Sequence, residues 1–361
     1  MIYLLYLLIL LILLCVERQQ ISYNNIFRVI IPVIYILLIG FRGANVGVDT
    51  PVYFEHYYTF GQWGCDFVEV GFDWLNQFFY HHGYSQAPFF IVCAAFSVIP
   101  VAIAVNQMLT RHEYSIFMLL FCTTTFASLC NGMRQNMACG LLFYLVFWFE
   151  RTSIKSFYKI CLWFLGILFA SLFHVSVFLV LPIFFLRYCK ISNKTYVVLY
   201  VLSFLFVMVN ISSYLPDIQL GHRDYGRYLG SELANKSASF LGFFITTIRN
   251  LLFLSLLIKN NLFTRYPLFA NLAFVMLILT NMGYHIPIIG RVNMYFVFFY
   301  IYMLSIILGE GKRHNMSVYT SSYLLIVIVI VLTVYGFISP SNKLMPYNFY
   351  WENSSYTNYL Q

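Results

Sequence analysis

His174 stands between two apolar runs, 163–173 and 175–185, where an imidazole can take a proton from an attacking hydroxyl near neutral pH. A histidine at such a turn also serves as a hydrogen-bonded connector between helices, so both roles are open. Two carboxylates stand out beside glycines: Asp49 in Gly47-Val48-Asp49 and Glu69 in Glu69-Val70-Gly71. Glycine permits tight turns that could aim an acid inward. Without such turns, both are ordinary solvated loop residues. His56, His81, His82, His222 and His285 lack metal-ligand spacing, and neither a metal nor a cofactor is expected.

Arginine supplies a second kind of chemistry. Arg42, Arg134, Arg223, Arg227, Arg249 and Arg291, with Lys236 and Lys343, remain after membrane topology has accounted for the other basic residues. A guanidinium fork holds phosphate oxygens in pairs, which a lysine ammonium cannot do. Arg249 falls deep in an apolar run, where a charge is costly unless it faces a bundle interior or water. It therefore requires a partner, either an outer-loop carboxylate or a ligand. Arg134 and Arg291 sit at the mouths of their runs, where snorkelling to the interface is the competing role.

The elements that must position these groups follow from composition. Of 361 residues, 61% are hydrophobic, 20% aromatic and only 9% charged, too little polar surface for a water-facing coat. In lipid no amide can stay unpaired, so the apolar runs should be helices of roughly 17–25 residues. Runs such as 324–334 lack the alternation of a β-barrel strand. Candidate spans are 1–16, 26–41, 88–109, 115–129, 133–149, 157–173, 175–187, 196–211, 240–258, 267–282, 288–308 and 318–338. The predicted fold is an all-α polytopic integral membrane helical bundle with about 10–12 transmembrane helices, a single transmembrane domain over residues 1–361. The cysteines are scattered without a CxxC pair, so core side chains are expected rather than disulfides or zinc ligands.

Charge orients the spans. Arg18, Arg28, Arg111, Arg151, Lys155, Lys159, Arg187, Lys190, Lys194, Lys259, Arg265, Lys312 and Arg313 fall in alternate loops, against Glu17, Glu113, Glu150 and Glu310. That side should be cytoplasmic, with both termini outside. The net charge of +8 is thus dispersed over short loops, and no nucleic-acid partner is expected. Segment 1–16 lacks a basic start and an A-x-A site and reads as a retained helix. Two larger outer loops remain, 42–87 and 212–239. In the first, Val70, Trp74, Leu75, Phe78 and Phe79 recur at helical spacing, predicting an amphipathic helix on the membrane.

A P-loop, G-x-S-x-G and H-E-x-x-H are absent, which removes most ATPases, serine hydrolases and zincins. Several segments, taken together, resemble the EpsG-like branch of the Wzy-type polysaccharide polymerases. They are Phe41-Arg42-Gly43, Val46-Gly47-Val48-Asp49-Thr50 with Tyr53, Glu69-Val70-Gly71-Phe72, Gly132-Met133-Arg134-Gln135 with Ala138, Phe173-His174-Val175-Ser176, and Arg291 to Tyr295. The resemblance spans about residues 40 to 300.

That resemblance implies a bacterial inner-membrane glycosyltransferase of GT-C-like architecture, working without metal. It would join lipid-linked oligosaccharide repeat units at the periplasmic face. Its substrate would be undecaprenyl-pyrophosphate-linked oligosaccharide in membrane lipid, with a flippase and a chain-length regulator as partners. Arg134, Arg249 and Arg291, more weakly Arg42 and Arg227, would hold the pyrophosphate. His174 would be the base, Asp49 and Glu69 would orient the acceptor or the histidine, and Trp63 and Trp74 could stack on sugars. A lipid-linked oligosaccharide flippase, a membrane acyltransferase and a dolichol-phosphate-type glycosyltransferase stand as alternatives. Long loops on one side only, the far-side His174 and the lone Asp49 speak against each in turn.

Overall fold

The computed structural model describes residues 11–12, 26–154, 156–189, 191–208, 219–220, 223–224, 240–285, 287–310 and 316–352. The described chain is helical apart from one short antiparallel pairing, β1 (Gln219–Leu220) with β2 (Arg223–Asp224), and an isolated bridge between Arg42 and Phe349. Four of its helices are long and apolar enough to cross a membrane, over Gln86–Met108, Leu241–Lys259, Ile289–Glu310 and Thr320–Ile338. Shorter apolar helices cover Arg28–Gly40, Phe157–Ser171, Asn193–Met208 and Pro267–Met282. The protein is an all-α polytopic membrane protein.

The chain divides into two compact units. One comprises Met1–Phe178 with Val331–Gln361, the other Leu179–Ile330. The first unit contains α1 (Ile26–Gly40), α2 (Thr50–Trp63), α3 (Val70–His81), α4 (Gln86–Met108), α5 (Arg111–Thr124), α6 (Phe126–Asn131), α7 (Met133–Arg151) and α8 (Ser156–Ser171). Helix α4 is its spine, packed on α1 and α7 through buried Phe90, Cys93, Val98, Val101 and Val105. Helix α5 starts at a capping box, Thr110 with Glu113, which satisfies two backbone donors reciprocally. At one end of the unit Arg28 donates to the backbone and side-chain oxygens of Asn106, and Arg151 donates to Gln107. Arg134 lies on the first turn of α7 and Arg151 on its last, about 25 Å away at the rise of a helix.

Segment 42–87 is more ordered than a loop bearing one amphipathic helix. It forms two helices, α2 and α3, around buried Tyr53, Phe54, Tyr57, Phe72 and Leu75. The exposed Glu55, Thr59 and Gln62 dilute the hydropathy of α2, which hides its apolar face in a window average. Val70, Trp74 and Phe78 of α3 are exposed, whereas Leu75, expected on the same face, is buried and Phe79 packs against the core. Two predicted spans also change form. Segment 115–129 breaks between α5 and α6, and 175–187 winds as a 3-10 helix, Val175–Tyr188. Segment 1–16, except residues 11–12, and most of 212–239 lie outside the described residues.

The second unit includes α9 (Asn193–Ser203), α10 (Leu205–Met208), α11 (Phe240–Lys259), α12 (Leu262–Arg265), α13 (Pro267–Met282) and α14 (Pro287–Glu310). Helices α13 and α14 pack along one another. Tyr196 donates to Asn271, whose amide reaches the Leu186 carbonyl at 2.9 Å. At one end Arg265 grips Glu310 with two parallel hydrogen bonds of 2.8 and 2.6 Å.

Candidate functional site

Glu69 is the hub of the first unit. One carboxylate oxygen accepts from Arg134 Nη1 at 2.6 Å, and the other faces His174 Nδ1 at 3.0 Å and the Val175 amide at 3.3 Å. Its side chain is 5% exposed, against 14% for His174 and 27% for Arg134. The acid is therefore the buried anchor, and the groups it holds are those a substrate can reach. A carboxylate against Nδ1 selects the tautomer protonated there and leaves Nε2 as the acceptor.

Local structure brings these residues together. Glu69 immediately precedes α3, and the next amides of that turn, Gly71 and Phe72, donate to the Leu172 carbonyl at 2.9 and 3.3 Å. This ties the start of α3 to the turn that carries His174, after α8. Arg134 comes from the first turn of α7, where a helix terminus already carries partial positive charge. A cation there is disfavoured alone, and Glu69 offsets it. The Arg134 guanidinium also lies 5.8 Å over the Phe72 ring. Beneath the site Phe72, Tyr53, Met133, Met137 and Phe173 form one buried cluster.

Arg42 and Asp49 occupy a different position. Arg42 is fully buried: Nε donates to Thr50 Oγ1 at 3.1 Å, Nη1 to the Ile39 carbonyl at 2.6 Å, and Nη2 faces Met133 Sδ at 3.9 Å. Its guanidinium lies 4.6 Å over Phe90. Full burial, with three of its five N–H donors engaged inside the protein, speaks against the expectation that Arg42 takes phosphate. It acts as a strut. Gly47 adopts φ +98°, a left-handed turn that lets the Val48 amide reach Asn131 Oδ1 at 2.7 Å. Asp49 follows that turn at the start of α2, half-buried, and it is Glu69 that meets His174. Residues near the C-terminus complete this end, with the Gly43 amide on the Asn348 carbonyl and the Tyr350 amide on the Phe41 carbonyl.

Electrostatics in α2 follow the same residues. Burial pushes the Tyr53 phenol up, while Arg134 opposes the shift and Asp49 reinforces it. Burial pulls His56 down, aided by Arg134 and opposed by Glu55. Trp63 and Trp74 are exposed, and Trp74 stacks on Phe78 at 5.7 Å. Among the described residues no group of three or more His, Cys, Asp or Glu side chains is placed to hold a metal ion.

The second unit carries Arg249 and Arg291. Arg291 is exposed near the start of α14. Arg249 sits near the middle of α11, half-buried, with Nε and Nη2 on Asn250 Oδ1 at 3.1 and 2.9 Å and its guanidinium 5.4 Å from the Tyr300 ring centre. Among the described residues its partners are an amide oxygen and a ring, not the carboxylate that one sequence reading required. Arg227 lies outside the described residues, and so does the side chain of Arg223. Sequence reasoning missed Thr50 and Asn131 as partners of the Arg42–Val48 segment. Thr50 was visible in the motif beside Arg42; Asn131 carried no signal beyond standing next to Gly132.

Comparison with known families gives one match: the family model described as the EpsG family covers residues 25–349. No curated protein and no solved structure matches the chain.

Proposed function

The chain belongs to the EpsG family, and from that premise we propose that it is a polysaccharide polymerase joining lipid-linked oligosaccharide units. The observation that carries the reading is Glu69 bridging His174 and Arg134. In the proposed step a sugar hydroxyl of one lipid-linked unit attacks the anomeric carbon of another. The C–O bond to undecaprenyl pyrophosphate breaks as the new C–O bond forms. The hydroxyl proton passes to His174 Nε2, and the leaving pyrophosphate takes the electron pair. Glu69 orients the ring and faces the charge it acquires. Arg134 and the first turn of α7 offer preorganised positive charge to the leaving group in a partly dry site.

The basic end of the unit, with Arg28, Arg111 and Arg151, fits the cytoplasmic side, so the Glu69 end is assigned to the periplasmic face of a bacterial inner membrane. Within the second unit Arg249 and Arg291 are proposed as lipid-diphosphate ligands, and a flippase and a chain-length regulator as partners. The test is a deletion strain complemented with wild-type, Glu69→Gln or His174→Gln protein. Extracted polysaccharide should run as a ladder with the wild type and as a single lipid-linked repeat unit with either variant. If the variants give full ladders, the reading fails. If deletion leaves repeat units confined to the cytoplasmic leaflet, the protein is a flippase.

A further inference from the structure

Helical threonines in this chain ordinarily satisfy themselves: Thr124, Thr125, Thr152 and Thr280 each donate to the carbonyl four residues back. Thr247 does not, and its buried Oγ1 has no hydrogen-bond partner. It belongs to a group. Asn250 Nδ2, one turn further along α11, and the hydroxyl of Tyr300 on α14 are also unpartnered, while the Tyr200 hydroxyl on α9 faces the Asn250 and Asn281 side chains. Tyr200 and Asn250 are wholly buried, and Tyr300 is 5% exposed. Arg249 joins them: it bonds Asn250, lies over Tyr300 and is within electrostatic reach of Tyr200. Arg249 stands about ten residues before Lys259 and Tyr300 about ten before Glu310, which puts both about 15 Å into their helices. An unpaired polar group is costly when buried, and several around one cation in an apolar helix pair mark a place built for a polar ligand.

We propose that Arg249, Tyr200, Asn250 and Tyr300 form a phosphate-class oxyanion site within the second unit. The guanidinium supplies charge, and the Asn250 amide and the two phenols supply neutral donors. No carboxylate among the described residues pairs with Arg249, so the site favours an anion. The ligand is a phosphate group held either by a lipid or free. The proposal deepens the pyrophosphate reading of Arg249 and rests on it only for the identity of the lipid.

The test uses full-length protein in maltoside detergent, with inorganic pyrophosphate titrated by calorimetry and phosphatidylglycerol retention read by native mass spectrometry. Wild-type protein should take up at least one probe. Arg249→Gln should weaken uptake about tenfold, and Tyr200→Phe/Tyr300→Phe, which keeps charge and ring packing, should weaken it several-fold. Uptake of pyrophosphate alone identifies a free diphosphate, and of the phospholipid alone a lipid headgroup; either supports the site. Loss of uptake in Arg134→Gln but not in Arg249→Gln would put the anion on Arg134 instead and overturn the proposal, whichever variant loses polymer. Uptake of neither probe by wild-type protein overturns the proposal. So does unchanged uptake in both the Arg249 variant and the double tyrosine variant, each checked as monodisperse by size exclusion.

Discussion

Gly71 and Leu172 touch backbone to backbone. A Cβ at position 71 would stand 2.8 Å from Leu172 Cβ and 2.9 Å from its carbonyl oxygen. That contact holds the start of α3 against the His174 turn and so sets the distance between Glu69 and His174. Gly71→Ala must push the turn away at a cost of about 1–3 kcal/mol. The expected outcome is shortened polymer at unchanged membrane abundance, worse for Gly71→Val. A full-length ladder from Gly71→Val would show that the contact does not position the site.

Arg134→Lys keeps the charge but loses the planar fork. Lysine can still meet Glu69, yet it cannot bridge Glu69 and a phosphate oxygen with fixed, parallel donors. Polymer yield in the complemented strain should fall about tenfold. Arg134→Leu should do worse and also lower thermal stability by about 3 kcal/mol, because Glu69 is then buried with its cation gone. Equal ladders from Arg134→Lys and wild type would remove bidentate recognition from the mechanism.

The membrane class and the separate motifs were legible in the sequence, because hydropathy and glycine-flanked acids are local signals. Their meeting was not. Glu69 and His174 are 105 residues apart, and nothing in either segment encodes the partner. Helix α2 was hidden because the polar residues on its exposed face offset its buried Tyr53, Phe54 and Tyr57. Arg42 looked like an outer cation available to phosphate. Its burial depends on Phe90 and Met133, which come from α4 and α7. Arg249 was expected to need a partner, and among the described residues it meets the adjacent Asn250 and the Tyr300 ring; most of the second outer loop, the other source of partners, lies outside them.

The strut role of Arg42 separates it from Arg134 by experiment. Arg42→Gln removes a fully buried cation and leaves the Ile39 carbonyl and Thr50 hydroxyl without their donor. Membrane abundance and thermal midpoint should drop together, by about 2–4 kcal/mol in stability. Thr50→Val should give a smaller loss of the same kind. If Arg42→Gln is as stable as wild type and only the polymer disappears, Arg42 belongs to the chemistry after all.

His56 gives the protein a dependence on acidity with a definite sign. Burial first, and then the Arg134 charge, hold its folded pKa below the usual value near 6.5, with Glu55 opposing. Below that value the unfolded chain binds more protons at this position than the folded one, so stability rises with pH through the window just under 6.5 and falls on acidification. The ring is only half-buried, so the effect is modest. Thermal midpoints of purified protein at pH 5.5 and pH 7.5 should therefore differ less in His56→Asn than in wild type. An identical difference in the two proteins would mean that His56 is not held neutral beside Arg134.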